Sequence, residues 1–97
     1  MVDLATLTAA DFEPLLGDPF LVAGMAPVTQ LELRSVDEGR RAFDHRRSFS
    51  LVFVGPKAPT LSQGTWPLVH DAFGRIELFL VPIGPGPDRP RYEAVFT

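Results

Sequence analysis

The sequence predicts a small, mainly β protein: an antiparallel barrel or curled sheet of about six strands with one short N-terminal helix. Three observations carry this expectation. Ten Pro and eight Gly in 97 residues interrupt helices and favour short strands joined by turns. Eight Phe suit a pleated surface, where aromatic rings pack well. From Pro19 onward the apolar residues recur at every second position, the period of a half-buried strand. At this length, with 45% hydrophobic residues, residues 1–97 form one domain around one modest core.

TAADFEPLL (8–16) reads as the helix. Thr8 is a good N-cap, and Asp11 follows three residues later, where a carboxylate meets free N–H groups and the positive helix end. Phe12, Leu15 and Leu16 lie at helical spacing, and Gly17 supplies a stop. Pro14 removes a backbone bond, so the helix should be only two turns long. PFLVAG (19–24) reads as a first short strand. VTQLELRSVDEG (28–39) alternates Leu31 and Leu33 against Glu32 and Arg34, and Val36 falls one step off that alternation, which predicts a bulge or the strand's end. SFSLVFVG (48–55) sets Phe49, Leu51 and Phe53 on one face. GPKAPTLSQG (55–64) and GPGPDRP (84–90) read as a loop and a turn, and RYEAVFT (91–97) as the last strand.

Between those two loops, Thr65–His70 and Arg75–Ile83 form a hairpin around Asp71-Ala72-Phe73-Gly74. A three- or five-residue loop places the Trp66, Leu68 and His70 face against Ile76 and Leu78, whereas a four-residue loop sets Leu68 opposite Glu77. The first register keeps apolar against apolar and is the one expected. His70 and Asp71 are then neighbours on a strand with side chains on opposite faces, so they cannot form a catalytic pair. His70 is expected to cap the end of the Trp66 face, and no Ser stands in a nucleophile-elbow context.

Composition excludes several functions. The absence of Cys removes disulfides, thiolate metal sites and cysteine nucleophiles. His45 and His70 are the only imidazoles, without metal-ligand spacing, so no metal and no cofactor is expected. A net charge of −3 argues against a general nucleic-acid partner. MVDLATLTAADFEPLL lacks the basic start and apolar run of a signal peptide, and no run approaches a membrane span. The expectation is cytoplasmic synthesis, with the site of action open.

What is left is surface. GRRAFDHRRSF (39–49) carries Arg40, Arg41, Arg46 and Arg47; it reads first as a solvated turn, second as a protein contact and third as an anion patch. The last strand alternates Tyr92, Ala94 and Phe96 against Glu93 and Val95. It closes within the chain or, as a free edge, pairs with another chain. Tyr92, Val95 and Phe96 therefore join the four arginines as candidate interface residues, while Trp66 and His70 are the candidates for a ligand pocket.

LTAADFEPLLGDPF (7–20), FSLVFVGP (49–56), LSQGTWPLVH (61–70), IELFLVPIG (76–84) and YEAVF (92–96) together resemble a family of uncharacterised bacterial proteins of about this length, known as a domain of unknown function. The resemblance implies a bacterial source and supplies no catalytic residues. By association with phage-tail-like, tail-collar proteins it implies an accessory or structural role. The function expected is thus a non-enzymatic structural or protein-interaction domain, self-associating or docking on a larger assembly. The alternative is a small-ligand- or peptide-binding barrel with Trp66 and His70 near its mouth.

Overall fold

The computed structural model describes residues 7–25, 28–38, 49–58, 60–83 and 89–96. A four-residue helix α1 (Ala9–Phe12) runs into a single 3-10 turn (Glu13–Leu15). Six strands follow: β1 (Pro19–Val22), β2 (Thr29–Glu38), β3 (Phe49–Val54), β4 (Gly64–His70), β5 (Gly74–Ile83) and β6 (Arg91–Phe96). They are antiparallel and close into a barrel in the order β1-β2-β3-β6-β5-β4. Among the described residues no helix is long and apolar enough to cross a membrane.

The helix begins as its residues dictate. Thr8 N–H donates to Asp11 Oδ2 at 2.8 Å, and Asp11 N–H donates to the Thr8 carbonyl at 3.0 Å. It ends as an α-helix earlier than the two turns expected, because Pro14 has no N–H to continue the ladder and the chain tightens into 3-10 geometry. The tightening rotates Leu16 away from the core, leaving it exposed instead of on the apolar face with Phe12 and Leu15.

Strand alternation sets what faces inward. The register between β2 and β3 shifts between Leu33–Phe53 and Ser35–Val52, so Arg34 is an extra, exposed residue. This bulge moves the inward set from Leu31 and Leu33 to Val36. Between β4 and β5, Trp66 pairs with Leu78, Leu68 with Ile76 and His70 with Gly74. The loop is the three-residue one, Asp71–Phe73. Phe73 N–H donates to the His70 carbonyl at 3.0 Å, and Gly74 takes a φ of +71°, where a side chain would be strained.

Both barrel ends are closed by side chains. Phe49 opens β3, Phe96 closes β6 and Phe73 lies in the β4–β5 turn, so all three meet at one end. There Phe12 enters from α1, its ring 5.9, 5.6 and 5.0 Å from those of Phe49, Phe96 and Phe73. At the other end Leu61, from the β3–β4 connection, is buried, and its N–H donates to the Tyr92 hydroxyl at 2.9 Å. Gly55 makes that close packing possible: a Cβ there would lie 2.9 Å from Leu31 Cδ2 and 3.1 Å from Tyr92 Cε2. Tyr92→Phe leaves the buried Leu61 N–H without its acceptor, so unfolding in urea should show a loss of about 1–3 kcal/mol. An unchanged midpoint would mean water replaces the hydroxyl.

Of the two expectations for the C-terminal strand, closure within the chain is the one found: β6 pairs on both sides. It lies against β3 from Phe49–Phe96 to Val54–Arg91, and against β5 at Val81–Glu93, Pro82–Tyr92 and Ile83–Arg91. Closure satisfies backbone groups that an edge would leave open. Tyr92 and Phe96 are accordingly core residues, removed from the candidate interface by inward alternation, while Val95 faces out. Residues 39–48, with Arg40, Arg41, His45, Arg46 and Arg47, lie outside the described residues, as do 84–88 of the GPGPDRP turn.

Candidate functional site

His70 has the chemistry to be tested first. It is the last residue of β4, its ring 4.7 Å from that of Phe20 and nearly buried. Nε2 lies 2.9 Å from Oδ2 of Asp18, the residue just before β1. Nδ1 accepts the backbone N–H of Ala72 at 2.9 Å. An acceptor at Nδ1 fixes the neutral tautomer with hydrogen on Nε2, which then donates to Asp18. Both ring nitrogens are therefore engaged, and neither is open to a metal or a substrate. The arrangement ties the hairpin turn to the start of β1. His70 does cap its face by a hydrogen bond, and it also serves the turn, accepting the Ala72 N–H.

Trp66 and His70 do not converge on one pocket. Four residues apart on β4, they are separated by about 13 Å along the strand, with fully buried Leu68 between them. Trp66 is half-buried against the core, and its Nε1 donates to the Ser62 carbonyl at 2.8 Å, pinning the β3–β4 connection. The space a ligand-binding barrel would keep open is occupied here by one continuous cluster that includes Phe20, Leu31, Phe53, Leu68 and Leu80. Among the described residues no buried side-chain polar atom lacks a partner, and no three His, Asp or Glu gather as metal ligands. Glu77 and Glu93 lie on the outer wall, where Glu93 pairs with Val81 and Glu77 with Pro67.

The outer wall of β5 and β6 is different in character. Their ladder has three rungs, Val81–Glu93 through Ile83–Arg91, whereas β4–β5 continues from Gly64–Leu80 to His70–Gly74. Carried two residues beyond the last rung, the register sets Phe79 beside Val95. These two are 52% and 59% exposed. Glu77 stands on one side of them and Glu93 on the other, and neither has an ion-pair partner among the described residues. Sequence alternation put all four on outward faces; the missing signal was that β5 and β6 are neighbours in this register.

Comparison with protein-family models matches residues 7–96 to a domain of unknown function, DUF6916. The chain belongs to this family. The family match spans α1 and all six strands, so the corked barrel, the His70–Asp18 tie and the outer wall all fall inside the family domain. No curated protein and no solved structure matches the chain.

Proposed function

We propose that the protein is a non-enzymatic interaction domain that associates with itself, or docks on a larger assembly, through the outer wall of β5 and β6. One observation carries this reading: two large apolar side chains, Phe79 on β5 and Val95 on β6, stand exposed on neighbouring strands, just past the last rung of the β5–β6 ladder. Exposed apolar residues scattered singly need no explanation, but adjacent ones on a rigid strand pair mark a contact surface. The packed interior and the fully engaged His70 leave this wall as the feature best suited to binding. In the phage-tail-like setting that the sequence resemblance implies, such a domain is an accessory subunit.

The test is a concentration series by sedimentation velocity. The wild-type mass is expected to rise above the 10.7 kDa of one chain. A Phe79→Ser, Val95→Thr variant should stay at one chain's mass while unfolding at the wild-type denaturant concentration. A wild-type protein that remains a single chain into high micromolar concentration overturns self-association, and a variant that associates as before removes the wall from it.

A further inference from the structure

Pro67 shows which way the backbone of β5 points. The Pro67 carbonyl accepts the Ala23 N–H at 2.9 Å, so it faces β1, and Glu77 opposite Pro67 sits in a pair that exchanges no hydrogen bonds. The N–H and C=O of Glu77 therefore point away from β4, and by strand alternation so do those of Arg75 and Phe79. On that side β5 meets β6, at Val81–Glu93, Pro82–Tyr92 and Ile83–Arg91. From Arg75 to Phe79 no described strand has a rung with β5 there, so this half of β5 is an edge among the described residues. Its outward side chains are Arg75, Glu77 and Phe79, all exposed, while Ile76, Leu78 and Leu80 are buried. The described ion pairs lie at Glu32, with Arg34 and Arg89, and between His70 and Asp18, and include neither Arg75 nor Glu77.

We propose that this edge pairs with the same edge of a second copy of the chain, β5 antiparallel to β5 about a twofold axis at Ile76. The proposal rests on self-association through this wall and names the contact that makes it. About that axis Arg75 of each copy stands opposite Glu77 of the other, so the two identical contacts close a dimer. Both residues point their backbone groups outward, so the two pairs exchange about four N–H···O=C bonds. On the outer face the four side chains alternate in sign, both along each strand and across the junction. Charges on an edge ordinarily deter pairing; here their alternation permits one register. The nearest others that keep hydrogen-bonding residues opposite centre on Arg75 or on Glu77, and each sets like charges face to face. This self-complementarity is what selects a second copy over an unrelated strand. Phe79 then lies diagonal to Arg75 of the other copy, whose methylene stem has the reach to cover part of its ring.

Amide hydrogen exchange of the wild-type chain tests the pairing without any variant. At concentrations where the sedimenting mass exceeds 10.7 kDa, the amides of Arg75 and Glu77 should exchange at least about tenfold more slowly than in dilute protein. Those of Ile76 and Leu78, whose backbone faces β4, should be slow in both. Charge reversal is the second arm. Arg75→Glu and Glu77→Arg should each sediment as one chain. Mixed in equal amounts they should form a one-to-one complex, since every glutamate then meets an arginine, and both changes in one chain should restore the wild-type dimer. If the wild type associates while the Arg75 and Glu77 amides keep their dilute rates, side chains of the wall make the contact and the strand pairing is overturned. Single variants that associate as the wild type does, or variants that form no complex on mixing, overturn it equally. A wild type that never exceeds one chain's mass removes the pairing and the wall's self-association together. Should either variant lose its circular dichroism spectrum, the wild-type amide rates decide alone.

Discussion

Phe12→Ala is expected to lower the free energy of unfolding by about 3–5 kcal/mol, the largest loss from any single change outside the strands. Phe12 is fully buried and touches three other rings. Part of the cost is the transfer of the ring to water, and part is the space left between Phe49, Phe73 and Phe96, which belong to three different elements and cannot all move in. The helix adds to the effect. Four α-helical residues and one 3-10 turn cannot hold themselves together in water, so α1 is ordered by what Phe12 buries. Removing the ring should undock the helix and open that end of the barrel. A small domain has about 5–15 kcal/mol in total, so the loss should appear as a large shift in the urea midpoint. Hydrogen exchange should quicken first at the ends of β3 and β6. A loss under about 1 kcal/mol, or unchanged exchange there, would show that the barrel end is closed without the helix.

Leu68→Ala should cost about 2–5 kcal/mol and should act on barrel closure in particular. Leu68 is fully buried, opposite Ile76 on one side and Val22 on the other. The β1–β4 seam has two rungs, Leu21–Val69 and Val22–Leu68, extended by Ala23 N–H donating to the Pro67 carbonyl at 2.9 Å. With so short a ladder, side-chain packing must supply what backbone pairing does not. Exchange in β1 should therefore rise more than exchange in β3 and β6, which share six rungs. Equal acceleration in all strands would mean that the barrel opens only as a whole and that the seam is no weak point.

Much of the fold can be read from neighbouring residues. Alternation correctly grouped Phe49, Leu51 and Phe53 on one face, then Ile76, Leu78 and Leu80, then Tyr92, Ala94 and Phe96, and each of these faces is the buried one. Val36 announced the β2 bulge by breaking step. Apolar matching chose the register shared by a three- and a five-residue hairpin loop over that of a four-residue one, and the loop has three. The candidate sites were less legible. Asp18 and His70 are 52 residues apart, and nothing local to either says that they meet. Tyr92 and Phe96 were marked as interface residues because a strand at the end of a chain looks like an edge. Phe79 drew no attention, since one outward Phe is ordinary until its neighbour is known.

The sequence by itself determined the faces of the strands, the short helix limited by Pro14, and the turn that Gly74 permits. Each depends on residues a few positions apart, where sterics, side-chain period and turn chemistry act directly. Only the tertiary structure decided that β6 slots between β3 and β5, that β1 closes on β4, and that Leu61 reaches Tyr92. It also decided that the strands carrying exposed Phe79 and Val95, β5 and β6, are neighbours. Such contacts close long loops whose entropy cost varies little from one pairing to another, so the choice falls to whichever arrangement buries all the inward faces together.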